Sequence, residues 1–236
     1  MNDETNSDKP QRRIRSFVRR EGRLTPGQQK ALDRWLPEFG LPPADSNSDG
    51  EIDLAALFGR TAPTVLEIGF GNGDTLFELA SRHPEWNFIG LEVHRPGVGH
   101  LLKHAGEAGL TNIRVSDEDA VEILKERIAP GSLHRVLLYF PDPWPKKRHH
   151  KRRIVQPEFA KLVASRLAPG GEFHLATDWE PYAEWMHEVL EAEPAFENTA
   201  ADGGFLPRPD DRPETKFERR GQRLGHDTWD LVYRRR

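Results

Sequence analysis

From Thr64 onward the chain alternates short apolar runs with segments whose apolar residues recur at helical spacing. The runs at 64–68, 86–91, 112–115, 135–140 and 172–176 are predicted strands, and helices are predicted near 74–82, 96–108, 118–127, 157–167 and 180–192. Parallel strands need a crossover between them, usually a helix, so the pattern predicts an α/β fold with a doubly wound, mostly parallel sheet. Phe196 and the 229–233 run add an expected C-terminal antiparallel strand pair, with 202–226 looping between them. Upstream, residues 1–10 are polar and expected to be disordered. Thr25-Pro26-Gly27 starts a short helix carrying Ala31, Leu32, Trp35 and Leu36, which Pro37 and Gly40 are expected to end. Residues 41–50 read as a linker, so 1–62 is expected as a polar, basic arm and linker and 63–236 as one domain.

The chain has no cysteine, which excludes a disulfide scaffold, a Cys-ligated zinc or iron–sulfur centre and a thiol nucleophile. Its longest apolar runs fall far short of the roughly 20 residues of a membrane helix. No basic-then-apolar leader follows Met1, so a cytoplasmic setting is expected. The net charge of -4 argues against a nucleic-acid partner only if charge is evenly spread, and it is not.

Val65-Leu66-Glu67-Ile68-Gly69-Phe70-Gly71-Asn72-Gly73 closes the first strand with glycines at alternate positions ahead of a helix. A dinucleotide fingerprint reads G-x-G-x-x-G, whereas position 74 here is Asp. Gly69 and Gly71 let the backbone turn tightly and pass close to a nucleoside ligand. Glu92 ends the second strand, 21 residues after Gly71, where a carboxylate can accept ribose hydroxyls. With Glu67 in front of the loop, the set suits S-adenosylmethionine, whose ammonium and ribose both seek carboxylates. Asp119, after the third strand, either reaches the adenine amino group or simply caps the next helix.

Phe140-Pro141-Asp142-Pro143-Trp144-Pro145 holds Asp142 on a stiff turn at the end of the fourth strand, because proline fixes φ and removes donors. Lys146-Lys147-Arg148-His149-His150-Lys151-Arg152-Arg153 follows, six permanent cations in eight positions with no acid. Such a run repels itself unless a polyanion screens it, so a nucleic-acid substrate is expected. The 12–23 segment holds six more cations opposed only by Glu21, and reads equally as an RNA contact or as a basic arm that never touches RNA. His94, His149 and His150 lack partners at ligand spacing, so no metal is expected.

Six separated motifs resemble the bacterial tRNA (guanine-N7)-methyltransferase family of class I, Rossmann-like enzymes. They are Arg15-Ser16-Phe17-Val18-Arg19-Arg20, Leu66-Glu67-Ile68-Gly69-Phe70-Gly71, Gly90-Leu91-Glu92-Val93-His94, the Phe140–Lys146 stretch, Thr177-Asp178-Trp179 and Thr215-Lys216-Phe217-Glu218. The resemblance implies methyl transfer from S-adenosylmethionine to N7 of the variable-loop guanine of tRNA. It implies Glu67, Glu92, Asp119 and Asp142 as cofactor contacts, with Asp142 also catalytic. Lys146, Asp178, Thr215, Lys216, Phe217 and Glu218 become substrate contacts, and Arg148, His149, His150, Lys151, Arg152 and Arg153 the RNA-contacting stretch.

Guanine N7 presents an in-plane lone pair, so the transfer needs no prior deprotonation. The transition state needs alignment, and a carboxylate on the guanine edge gains strength as positive charge develops there. Asp142 and Asp178 are the expected pair. Trp179 either stacks on a base or fills the core. Four to six phosphate contacts would give log affinity against log salt a slope of roughly -3 to -5. The rival readings are a nicotinamide dehydrogenase, a methyltransferase of the same fold acting on another RNA or on a small molecule or protein, and a noncatalytic RNA-binding module.

Overall fold

The computed structural model describes residues 16–17, 22–43, 50–215, 218–219 and 227–236. Residues 1–10, most of the 12–23 segment, most of the expected linker, Lys216, Phe217 and 220–226 lie outside the described residues.

Seven strands form one sheet: β1 (Thr64–Ile68), β2 (Asn87–Leu91), β3 (Ile113–Ser116), β4 (Leu133–Tyr139), β5 (Leu167–Thr177), β6 (Phe196–Asn198) and β7 (Trp229–Arg235). The order is β3-β2-β1-β4-β5-β7-β6, with the first five parallel and β7 antiparallel to both β5 and β6. The chain winds outward from β1 to β3, then returns to β4 on the other side of β1. This reversal opens a crevice at the carboxyl ends of β1 and β4. The α/β expectation therefore holds, including the C-terminal antiparallel strands.

Two helical layers cover the sheet. On one face lie α1 (Pro26–Phe39), α3 (Asp74–Arg82) and α4 (Arg95–Glu107), whereas the short α2 (Leu54–Phe58) sets Leu54 and Phe58 against the core of the opposite face. On the other lie α5 (Ala120–Glu126), α6 (Pro157–Arg166) and α7 (Glu180–Glu191). In β1, Leu66 and Ile68 pack toward α5–α7 and Val65 toward α3 and α4, the period-two alternation of a strand buried on both faces. A Cβ on Gly97 of α4 would meet the Gly71 carbonyl oxygen at 1.9 Å, so only glycine lets α4 sit this close to the glycine loop.

Two expectations need correction. Pro37 lies inside α1, and the helix ends at Gly40, whose N–H donates to the Leu36 carbonyl at 2.8 Å. Pro37 leaves only the carbonyl of exposed Asp33 to solvent, while buried Leu32 and Phe39 gain about 1.5–3 kcal/mol each from leaving water. β5 begins at Leu167, directly after α6. Leu167 pairs with Leu133 and Glu172 with Arg135, so β5 starts five residues before the predicted strand at 172–176, and residues 168–171 bulge out of the ladder between the two pairs.

Candidate active site

A cavity of about 510 Å³ occupies the crevice. Each successive parallel strand from β1 to β4 delivers residues to it: Gly69 after β1, Glu92 after β2, Asp119 after β3 and Asp142 after β4. Gly69 and Gly71 have φ of 71° and 59°, and a Cβ on either would meet nothing within 4 Å. Their glycine requirement is thus conformational, and the space above the loop is open to a ligand.

Glu92 fastens the loop. Its Oε2 accepts from the Gly71 N–H and its Oε1 from the His94 N–H, both at 2.8 Å, leaving lone pairs facing the cavity that it lines. Burial raises its pKa against the pull of those backbone donors. Glu67 lies one layer deeper, 3% exposed, with Oε2 buried and unpartnered among the described residues. Burial, reinforced by the nearby Glu92 charge, pushes its carboxyl up to about 8. Asp119 takes the capping role: its Oδ1 accepts from Val121 N–H at 3.0 Å at the start of α5, and the residue also lines the cavity.

Asp142 is exposed at the mouth. The turn holding it is bracketed by Phe140 (φ 51°) and Trp144 (φ 43°), two bulky residues in the left-handed region. Such strain persists only where the surroundings over-determine it. Trp144 is held from both sides: its indole N–H donates to the Ser16 carbonyl at 3.1 Å, and the Arg152 guanidinium lies 4.1 Å over its ring. Ser16 and Phe17 thereby become cavity walls, a role their motif alone did not indicate.

The basic run forms a 3-10 turn over Lys147–Arg152. Lys146, Lys147, Arg148 and Lys151 are exposed, and His149, His150 and Arg152 half-buried. Arg153 departs from the expectation. It is 3% exposed, donates from Nε to the Pro143 carbonyl at 3.0 Å and stacks 4.8 Å over the Tyr182 ring. Side chains three apart eclipse in a 3-10 turn, which turns His150 and Arg153 inward together. Arg153 braces the Pro-Asp-Pro turn and is corrected from RNA contact to support.

A family model described as "Putative methyltransferase" matches residues 61–231. The tRNA (guanine-N(7)-)-methyltransferase of Pseudomonas putida is 59% identical over 225 residues, covering 95% of this chain and 92% of that protein. The protein of the same name from Alkalilimnicola ehrlichii is 60% identical over 227 residues, covering 95% and 94%. The chain belongs to the tRNA (guanine-N7)-methyltransferase family. Among solved structures, the 16S rRNA methyltransferase KamB has a TM-score of 0.59 at 18% identity over 78% of this chain and 94% of its own. A 16S rRNA (adenine(1408)-N(1))-methyltransferase from Catenulisporales acidiphilia, crystallised with SAM, scores 0.53 at 16% identity over 77% and 89%. These two likenesses concern the fold.

In this member of the tRNA (guanine-N7)-methyltransferase family, Asp178 is half-buried just past β5, and Trp179 beside it is 38% exposed. Lys146 stands on the basic turn. Thr215 and Glu218 form a reciprocal cap: Glu218 N–H donates to Thr215 Oγ1 at 3.1 Å, and Thr215 N–H points back to Glu218 Oε2 at 3.4 Å. Glu218 is 2% exposed and takes both its oxygens to Arg212, at 2.8 and 2.9 Å. Its carboxylate is thus engaged inside the protein, and the expectation of a direct substrate contact is corrected to a support for Thr215. Arg212 in turn pairs with Asp230, which accepts from His174 Nε2, while Tyr139 O–H donates to His174 Nδ1 at 2.9 Å. No periodicity or motif marked Arg212, His174 or Asp230, because the partners lie 18 to 56 residues apart.

Proposed function

We propose that the chain transfers the methyl group of S-adenosylmethionine to N7 of the variable-loop guanine of tRNA, in a cytoplasmic setting, leaving 7-methylguanosine and S-adenosylhomocysteine. The observation that carries the reading is one cavity lined by Glu92, Asp119 and Asp142, backed by buried Glu67, that opens beside a run of exposed cations. A cationic, ribose-bearing cofactor fits that site: Glu67 has an orphaned buried oxygen, and the glycine loop leaves open space beside it. Glu67, Gly69, Gly71, Glu92, Asp119 and Asp142 would hold it. When bound, S-adenosylmethionine supplies an electrophilic methyl group.

The protein's own work is alignment and charge stabilisation. Asp142, fixed by its bracketed turn, accepts hydrogen bonds from the guanine edge, and the bonds strengthen as positive charge develops on the base. Asp178 acts with it from the end of β5, and Thr215 contacts the substrate together with Lys216 and Phe217, which lie outside the described residues. Lys146, Arg148, His149, His150, Lys151 and Arg152 hold the tRNA backbone while the guanine is presented.

Unmodified tRNA incubated with methyl-labelled cofactor, digested and resolved into nucleosides, is expected to yield 7-methylguanosine. Asp142→Ala should lower the rate by about 100-fold or more with tRNA affinity nearly unchanged. A different methylated nucleoside overturns the reading, and equal losses of rate and affinity overturn the role of Asp142.

A further inference from the structure

Beyond the cavity a second groove of about 570 Å³ runs between α5, the 3-10 turn and α6. Ser16, Asp119 and Ile154 line both, so the groove continues the cavity away from its mouth. Its walls carry Lys125 from α5, Lys151 and Arg152 from the turn, and Lys161 from α6. Among the described residues Glu158 and Asp119 are the acids that line it, and Asp119 is engaged in capping α5.

Three features mark the groove as a built surface. Its walls are cross-tied: Arg166 donates to the carbonyls of Leu124 at 2.6 Å and Lys125 at 3.0 Å, locking the end of α5 to α6. Gln156 Nε2 donates to the carbonyls of His150 at 3.0 Å and Arg153 at 3.1 Å, locking the basic turn to the start of α6. The cations are available: Lys125, Lys151 and Lys161 are exposed, and none of them has an ion pair among the described residues. Finally, Arg152, whose guanidinium lies over the Trp144 ring, has a buried Nε with no acceptor among the described residues, a donor that an incoming oxyanion would satisfy.

On α6, Glu158, Lys161, Leu162 and Ser165 share the groove face at i, i+3, i+4 and i+7. From Gln156 to Ser165 the helix rises about 13 Å, room for roughly three or four nucleotides of one strand.

We propose that this groove carries the sugar-phosphate backbone of the RNA away from the cavity, with Lys125 and Lys161 as phosphate contacts. The proposal rests on the tRNA reading above and extends the cationic track from the basic turn onto α5 and α6. Phosphate contacts fix register and carry no sequence information, so these lysines govern affinity and its salt dependence and leave the chemistry alone.

The test compares wild type, Lys125→Gln/Lys161→Gln and Lys147→Gln/Arg148→Gln for binding of unmodified tRNA between 50 and 200 mM salt. Thermal denaturation and S-adenosylhomocysteine binding serve as controls for folding and for the cavity. Removing two contacts should make the slope of log affinity against log salt shallower by about 1.4–1.8 and weaken binding roughly tenfold or more at 0.1 M salt. In the groove variant, S-adenosylhomocysteine affinity and the methylation rate at saturating tRNA should match wild type. A groove variant with wild-type slope and affinity, beside a basic-turn variant that loses both, overturns the groove alone. If wild type itself neither binds nor methylates tRNA, the tRNA reading falls, and the groove with it.

Discussion

Glu67 is the residue whose chemistry is most displaced from its ordinary state. Its carboxyl titrates near 8 in the folded protein against 4.5 ordinarily, because burial penalises the anion and Glu92 repels it. A folded pKa raised above the unfolded one means that the native state keeps a proton the unfolded chain has lost. The contribution to stability is therefore complete below about pH 4.5 and is lost as pH rises toward 8, by at most about 1.4 kcal/mol per pH unit. Glu67→Gln, neutral throughout, should flatten that decline in denaturant melts taken from pH 5 to 8. An ammonium beside it favours the anion, so S-adenosylhomocysteine, which has lost the sulfonium charge but keeps the amino-acid ammonium, should bind with proton release below pH 8 and more tightly as pH rises. Calorimetry in buffers of different ionisation enthalpy reads this directly. Wild-type affinity that is flat with pH and free of proton uptake or release would sink the assignment.

Among the elements, the tie between β7 and the Thr215 turn matters most. Arg212 bridges Glu218 and Asp230, and its guanidinium lies 5.7 Å from the Tyr139 ring and 5.9 Å from that of Phe140, at the root of the Asp142 turn. Arg212→Ala leaves two buried carboxylates facing each other and should cost about 3–5 kcal/mol. The drop in melting temperature is then about 6–20 °C, and Arg212→Lys recovers only part of it because an ammonium lacks the bidentate fork. A loss under about 1 kcal/mol would show that the network relaxes. The elements themselves were readable because β1 to β5 alternate with helices at regular spacing. Glu92, Asp119 and Asp142 were readable as neighbours, with Glu67 buried behind them, because doubly wound sheets bring strand ends to one crevice. Arg153 and Glu218 were misread for a common reason. A motif records side-chain charge but not whether a partner such as Arg212, or a ring such as that of Tyr182, has already claimed it. Pro37 was misread because local propensity omits the burial of Phe39.

At the scale of the molecule, a net charge of -4 conceals two opposed regions, an acidic crevice and a cationic rim that meet at Trp144. The crevice draws residues from four strand ends and from Ser16 and Phe17, so a ligand there stabilises the fold as a unit. S-adenosylhomocysteine at a hundred times its Kd should add about 2.7 kcal/mol, raising the melting temperature by roughly 5–10 °C. NAD should leave it unchanged, and a shift with NAD comparable to that with S-adenosylhomocysteine would revive the dehydrogenase alternative. The sheet is also completed out of order. β7 enters between β5 and β6, and its Asp230 closes the His174–Arg212 network. During synthesis, β5 therefore waits with a bare edge until residues 229–235 have left the ribosome. A nascent chain stalled before Trp229 would present β5 as an unpaired edge, open to pairing with a strand of another chain.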